Sequence, residues 1–591
     1  MTLRRLDLLA AGLLCLAALL IFGLGAPRLG FYADDAAWLS TLPSAPDPWA
    51  AMRGYMPGRH LHPLWHWLAY RLIGDPLRRL PALHLLQSLL DGVLAALFYL
   101  LLRRLDLSAA ASFLAAAAFA FWPLHGETHF WLESLPMNLV STLFALLFAW
   151  TTLSLDRPRP GLLVLDLLAF LCAVFTYDQV LLPLLVLIAF RPRLILYRLP
   201  HLAAAGFCIW LRLTQGGGPL PQLDLGAIVA NIRYTIESHA GRAGFHAVAP
   251  LFGASTLTDR LLALLVAAAI AAGAIYLLHI PSPTRQSTRL PIAAAALLVA
   301  AWSPVWLWHL SPRHHYLPSI PLFVLLAWAL DRLRHPAFCL LVALGVFAGA
   351  CAARGESRHW EASFAAKHRL FAELAPYLAG RHTLVLSGFP LRLGPAPLIS
   401  PHDSVLTPRL LLGLPPGFRG HLGYVPVPGG RFLATHFFDG ADAFYYSSDP
   451  GVLVVRFTSW DRDRLGFELD PSPPLPQPVC APASSAFSVR HLSARLDHRD
   501  LLLSLDFTSG SRLSAVVRFP HGGRWDTWGV RDADHYLNIQ PILLSEPGRS
   551  CSQTLRLPSF PHVDRIRVDF YETPPGRSAV PLRQVELPLR P

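Results

Sequence analysis

The sequence predicts a mainly α-helical, polytopic transmembrane fold of about eleven spans, followed by a mostly β region outside the membrane. Three observations predict it. Of 591 residues, 53% are hydrophobic and only 15% are charged, where soluble domains carry about a quarter charged. The apolar excess lies in the first 350 residues, in blocks rich in Leu, Ala and Val. Beyond those blocks the chain turns to Pro, Gly and short alternating stretches. The formal net charge of +12 does not mark a nucleic-acid partner, because the Arg is scattered in short loops. Positive-inside bias accounts for it more simply.

Residues 6–25 form the first apolar run, behind Arg4 and Arg5. An uncleaved span is expected here rather than a signal peptide, because many spans follow and no small-x-small site precedes Pro27. The two arginines place the N-terminus in the cytoplasm and Asp34-Asp35 outside. Residues 36–79 are too broken by Pro and Gly to span. They hold Arg59, His60, His62-Pro63 and the Trp/His-rich piece Leu64 to Tyr70, which suits helices lying at the interface. Further spans are expected at about 80–102, 108–122, 137–154, 161–177, 179–190, 199–213, 258–279, 289–309, 316–330 and 336–353.

Alternation then sorts the loops. Arg103-Arg104, Arg157 with Arg159, Arg191 to Arg198, Arg285 with Arg289, and Arg332 with Arg334 fall on one side, and each loop is basic. The other side holds Asp34-Asp35, the His125–Glu133 loop, Asp178, a long 214–257 loop and Arg313-His314-His315. That pattern makes the basic set cytoplasmic and the C-terminus external.

From Arg354 the apolar blocks stop. Glu356 to Leu374 reads as an amphipathic helix leaving the membrane, with Pro376 just past its end. Leu501 to Phe507, Arg512 to Phe519 and Arg565 to Tyr571 alternate like strands, and Gly522-Gly523 reads as a turn. Pro clusters across Asp470 to Pro478 divide this part. The expected domains are a transmembrane domain over 1–353, a mixed α/β region over 354–475 and a β-rich, sandwich-like region over 476–591. The seven cysteines form no metal-type spacing. Cys15, Cys172, Cys208, Cys339 and Cys351 lie in apolar segments and read as small core residues. Cys480 and Cys551 lie in the polar part, where an oxidising compartment would let them pair.

The chemistry-bearing residues start with Asp34 and Asp35, adjacent carboxylates just past the first span. Such a pair can supply a general base for a hydroxyl acceptor, or hold a divalent cation such as Mg or Mn. The bland account is that they cap the helix that follows. His125, Glu127 and His129 alternate in a loop on the same side. They can meet a polar substrate, or be an ordinary polar turn, and their spacing is no zinc pattern. Arg313, followed by Tyr316, opens a later span. A guanidinium there suits a phosphate clamp, although arginines often snorkel at helix ends. Arg59, His62, His84 and Asp178 are weaker candidates. A lone His in a span, such as His84, more often bonds a neighbouring helix. The Trp302, Trp306, Trp308 cluster reads as an interface belt.

In this order the motifs resemble the GT-C glycosyltransferases, membrane enzymes that use polyprenyl-phosphate-linked sugars. The acidic pair resembles that class's acidic motif in the first external loop. His62-Pro63-Leu64 followed by Ala82-Leu83-His84-Leu85 is similar to an Arg-Pro-Leu … Phe-His-Leu stretch in the O-mannosyltransferases that carry tetratricopeptide repeats. Pro123-Leu124-His125-Gly126-Glu127 resembles their Pro-x-His-x-Glu loop. Tyr177-Asp178 stands where they have Lys-Glu, and Arg313-x-x-Tyr316-Leu317-Pro318-Ser319 matches their Arg-x-x-Tyr-Leu-Pro-Ser. The resemblance covers residues 1–353.

The resemblance implies a GT-C-like fold and transfer of a sugar from a polyprenyl-phosphate donor to a glycan, lipid or protein hydroxyl. Asp34 or Asp35 would be the base, and Arg313 would hold the donor phosphate. Glu127 with His125 would shape the sugar site or take part in acid/base chemistry. Arg59, His62, His84, Asp178 and Tyr316 would line it. The expected partners are that donor, membrane lipids and the acceptor, with no nucleic acid. Lys367 is the lone lysine, a composition that fits a bacterial genome of high GC content and hence a bacterial cytoplasmic membrane. The competing expectations are a flippase for lipid-linked glycans, which would carry ionisable residues near mid-membrane, and a non-catalytic scaffold.

Overall fold

The computed structural model describes residues 5–52, 59–155, 159–190, 192–215, 225–240, 242–279, 289–307, 312–333, 335–387, 389, 392–393, 395–422, 424–427, 431–434, 443–446, 449–461, 464–469, 479–482, 487–497, 500–509, 512–521, 524–526, 542–545, 549–558, 565–573 and 580–589. The chain divides into two compact units, Met1–Phe31 with Thr41–Glu361, and Tyr32–Ser40 with Ala362–Pro591. The helices in chain order are α1 Arg5–Gly23, α2 Asp35–Thr41, α3 Pro48–Met52, α4 Leu61–Ile73, α5 Leu80–Arg104 and α6 Ala109–Ala120. Next come α7 Gly126–Phe130, α8 Ser141–Ser154, α9 Pro160–Thr176, α10 Leu181–Ala189, α11 Leu199–Gln215 and α12 Leu225–Ala240. The last six are α13 Arg242–Ala254, α14 Leu257–Leu278, α15 Arg289–Leu307, α16 Tyr316–Leu333, α17 Pro336–Leu378 and α18 Pro401–Leu412.

Each apolar block of the sequence is a helix in the first unit. Among the described residues, eight helices are long and apolar enough to cross a membrane, or nine when α6 and Pro123–Phe130, bent by 42°, count as one broken span. Pro160–Thr176 and Asp178–Ala189 are apolar but shorter, so the eleven expected segments correspond to the eight long helices, the broken pair and these two. Large apolar side chains on these helices, such as Leu264, Leu265 and Leu344, are exposed, as expected of a surface that lies in a bilayer.

Several expectations change in the structure. The 214–257 stretch is not a plain loop, because α12 and α13 fold within it. Asn231 of α12 donates to the Trp306 carbonyl at 2.9 Å, and the Trp306 indole donates to Thr235 at 3.1 Å. Trp302 is accordingly buried rather than placed in an interface belt. The helix expected from Glu356 is no separate element, because α17 runs unbroken from Pro336 to Leu378 with Pro376 inside its last turn. Two arginines counted as loop charge are buried. Arg103 pairs with Asp7 at 3.0 Å, and Arg198 pairs with Asp166, which also holds His201 at 2.8 Å. Arg157, Arg191, Arg285, Arg334, Trp308, the 470–478 Pro cluster and the Gly522-Gly523 turn lie outside the described residues.

Among the described residues, the second unit contains an α/β layer, two larger antiparallel sheets and two small sheets of two and three strands. Strand Thr383–Ser387 pairs in parallel with Arg419–Leu422 and with Val452–Asp461, and the latter turns back antiparallel to Arg464–Leu469. Parallel neighbours need a crossover, and α18 lies in the connection between the first two. The last turns of α17 cover this sheet through Leu370, Phe371 and Leu374. Farther on, Val479–Pro482, Arg549–Pro558, Asp500–Ser509 and Ser488–Asp497 form one antiparallel sheet. Arg524–Asp526, Arg512–His521, Arg565–Thr573 and Val580–Pro588 form another. Leu503, Leu505 and Phe507 of the first sheet share a core with Leu513, Val568 and Phe570 of the second, a sandwich arrangement. Cys551 is disulfide-bonded, its register partner across the ladder is Cys480, and Cys15, Cys172, Cys208, Cys339 and Cys351 are free thiols.

Helix α5 approaches α1 closely enough to need a glycine. A Cβ on Gly92 would sit 2.8 Å from the Cys15 carbonyl oxygen and 2.9 Å from its Cα, whereas a Cβ on Gly12 would meet nothing within 4 Å. We predict that Gly92→Val destabilises the protein by roughly 1–3 kcal/mol through overpacking. Gly12→Val should change thermal unfolding in detergent by no more than about 0.5 kcal/mol.

Candidate functional site

The site of the first unit grows from one face of α5. His84, Gln87, Ser88 and Asp91 recur at helical spacing and are all buried. A polar stripe inside an apolar helix needs partners on other elements, and it finds them. His84 Nε2 donates to the Gly30 carbonyl at 2.7 Å. Gln87 donates to the carbonyls of Thr128 and Trp131 at 2.7 and 2.9 Å, which fixes the turn after α7. Asp91 takes the Tyr316 hydroxyl at 3.3 Å and lies 3.1 Å from His129 Nδ1.

Pro123 and Gly126 break the chain after α6, and the short α7 turns His125, Glu127 and His129 inward. All three are buried. The Ser319 hydroxyl donates to the Tyr316 carbonyl at 2.7 Å, so it accepts from His125 Nε2 at 3.0 Å, and that nitrogen carries the proton. The Tyr316 ring lies 4.8 Å from the His125 ring.

Arg313 stands beside Glu127, with Nη1 3.8 Å from a carboxylate oxygen. Its guanidinium lies 4.4 Å over the Trp131 ring. Its own carbonyl accepts from Asn138 at 2.6 Å. Asn138 belongs to a one-turn π-helical segment, Leu135–Val140, that opens with Pro136 and leads into α8. Such a bulge re-aims side chains within a helix. Gln179 fixes the next residue by donating to the His314 carbonyl at 3.0 Å.

Two further groups flank this cluster. Asp178 lies between two guanidinium groups, with Arg59 Nε at 3.0 Å and Arg212 Nε at 2.7 Å. Arg59 also covers the Tyr177 ring at 4.6 Å. On α4, His62 Nε2 lies 3.2 Å from one Glu133 oxygen, and His66 Nε2 lies 3.5 Å from the other. Burial would raise the Glu133 carboxyl, but the two imidazoles outweigh it and hold the group below the usual carboxylate range. Burial pushes His66 down, and its contact with Glu133 offsets only part of that.

Asp34 and Asp35 belong to the second unit. Asp35 is fully buried at the start of α2, and its carboxylate accepts the Tyr32 N–H at 3.0 Å. That contact is a helix-capping one. Asp34 is half-buried, and its carbonyl accepts from Ala37 at 3.0 Å. The stretch is steadied by Lys367, whose ammonium lies 5.4 Å over the Tyr32 ring and 2.8 Å from Asp403.

The structure therefore gathers buried Glu127, His125, Tyr316 and His84 and half-buried Arg313 around the broken span, with Arg59 paired to Asp178 and His62 to Glu133. Sequence reasoning passed over Asp91, Glu133, His66, Arg212 and Asn138. Asp91 could have been found as a carboxylate inside an apolar run, seven residues after His84. His62 and His66 carried an i, i+4 signal on a predicted helix.

Fold and site together define a polytopic membrane protein whose ionisable residues gather around a broken span. No family profile and no curated protein matches the chain significantly. Among solved structures it is similar to ArnT from Cupriavidus metallidurans bound to undecaprenyl phosphate. The two share 17% identity over 75% of this chain and 92% of that one, with a TM-score of 0.36. A superposition that loose does not establish a common topology.

Asp91 satisfies two buried partners at once. We predict that Asp91→Ala, which strands His129 and Tyr316, lowers stability by roughly 1–3 kcal/mol. Asp91→Asn, which keeps an acceptor for the Tyr316 hydroxyl, should cost less in the same thermal unfolding measurement.

Proposed function

We propose that this chain is a GT-C-type membrane glycosyltransferase that moves a sugar from a polyprenyl-phosphate donor to a hydroxyl of a glycan, lipid or protein. The observation that carries the reading is the placed guanidinium of Arg313. It lies over Trp131, beside buried Glu127, with its backbone held by Asn138. An arginine fixed in that way is a ready partner for a departing phosphate, whose charge grows as the glycosidic bond breaks. The motif resemblance supports the same role for Arg313.

In this reading an Asp of the acidic pair takes the acceptor proton. Either Asp34 or Asp35 is the base in this reading, and Asp35 also accepts the Tyr32 N–H at the start of α2. The hydroxyl oxygen attacks the anomeric carbon, its proton passes to the base, and the glycosidic bond breaks with the polyprenyl phosphate as leaving group. Glu127 orients Arg313, and His125 shapes the sugar side. A divalent cation such as Mg or Mn at Asp34 belongs to the same proposal, and no step above depends on it. The disulfide at Cys551 supports an oxidising location for the C-terminal unit, hence outside the cytoplasm.

A second reading, a flippase for lipid-linked glycans, draws on Asp91. It lies near the middle of the 25-residue α5, beside the broken span, as transporter sites do. The test is to incubate purified protein in lipid with radiolabelled polyprenyl-phosphate sugars and a crude envelope acceptor fraction. The wild type should transfer label, Arg313→Ala should lose roughly 10²–10³-fold, and either Asp34→Asn or Asp35→Asn should lose transfer while staying folded. Lipid scrambling by the wild type with no transfer from any donor would replace the enzyme reading with the flippase one.

A further inference from the structure

We propose that His62, His66 and Glu133 form a zinc site that fastens the interfacial helix α4 to the turn carrying Trp131. Among the described residues, these three are the grouping of His, Cys, Asp or Glu whose donor atoms lie close enough to share an ion, all within 4.8 Å of one another. The inference stands on these contacts and does not require the transferase reading.

The local sequence builds the donor set. His62 and His66 are one turn apart, so α4 presents both imidazoles on one face. Pro63 sits in the first turn, where its missing N–H costs nothing. Glu133 comes from the turn between α7 and the π-helical segment, and it offers a separate oxygen to each imidazole at 3.2 and 3.5 Å. Ligands about 2.0–2.2 Å from a tetrahedral zinc ion stand roughly 3.3–3.5 Å from one another. The two His–Glu separations therefore need little adjustment to accept an ion. The three side chains are at most 3% exposed, so water competes weakly for them.

The donor types select the metal. Two imidazoles and one carboxylate suit borderline ions, whereas Mg and Ca prefer all-oxygen sets. Three protein ligands leave a fourth tetrahedral position for water or another oxygen, the arrangement of zinc sites that stay open. The plain alternative is that the cluster is only a set of buried His–Glu contacts. It predicts the same distances but no metal uptake.

The consequence of the metal is mechanical. Trp131 is two residues before Glu133, and its ring supports the Arg313 guanidinium. Gln87 already ties the Trp131 carbonyl to α5. An ion at Glu133 adds a link to α4, and the turn is then held from two sides. His62, His66 and Glu133 are positioning residues for Arg313 in this account.

The test uses the full chain in detergent or nanodiscs, stripped with chelator, then given zinc alone with no sugar substrate. Wild type should take up about one zinc per chain by elemental mass spectrometry, and its Tm should rise. His66→Ala should lose the metal and the Tm rise together. His66→Cys, which restores a ligand, should regain both, and this rescue separates lost binding from a folding defect. Cobalt substitution should give the visible absorption of a tetrahedral site in wild type and not in Glu133→Gln. A folded, stripped wild type that takes up no more zinc than His66→Ala would overturn the site. Uptake of iron or manganese in preference to zinc would overturn the choice of metal. Neither result involves sugar transfer, so failure here and failure of the transferase reading remain distinguishable.

Discussion

Asp91 carries a buried carboxylate toward the middle of α5. Burying such a group unpaired costs several kcal/mol. Its partners, His129 at 3.1 Å and the Tyr316 hydroxyl at 3.3 Å, come from α7 and α16, distant in sequence. Satisfying one carboxylate therefore fixes where three elements meet. The break after α6 follows from the same demand, because a straight helix could not turn His125, Glu127 and His129 toward α5 and α16 together. The π-helical segment adds its part by bringing Asn138 to the Arg313 carbonyl.

The same rule organises the rest of the first unit. Asp7 joins α1 to α5 through Tyr99 and Arg103. Asp166 joins α9 to Arg198, His201 and the threonines of α8. Asp259 joins α14 to Arg354 and Arg358 of α17. Such buried pairs add little net stability over apolar packing, because desolvation offsets much of their attraction. What they provide is register: in a bundle where Leu and Ala pack equally well at many offsets, a buried charge has one low-energy partner. Arg313 beside Glu127 and the Arg59–Asp178–Arg212 group belong to the same class of buried or half-buried charge pairs.

Helix positions were legible because apolar runs have a single interpretation at a given length. Every expected block from residues 6–25 to 336–353 is a helix. What periodicity could not show was how charges pair across the bundle. Arg103 and Arg198 looked like loop charges because each flanks an apolar run, and only the structure places Asp7 and Asp166 against them. Helices α12 and α13 were hidden by a polar, Gly-rich stretch whose helical face packs locally, through Asn231 and Thr235, against α15. In the site, Arg313, Glu127 and Tyr316 were visible through their motifs. Asp91 belonged to no motif, and its signal was only that of a carboxylate inside an apolar run. Glu133 was read as part of a loop, and its partners lie some seventy residues earlier on α4.

The proposed role of the Arg313 guanidinium, set over Trp131 beside Glu127, is to hold a phosphate. The most direct measurement is a cryo-electron microscopy map of the full chain in nanodiscs with a polyprenyl phosphate added. The account predicts phosphate density within hydrogen-bond reach of Arg313, lost in Arg313→Ala. Density for the phosphate elsewhere, unaffected by that substitution, would contradict it.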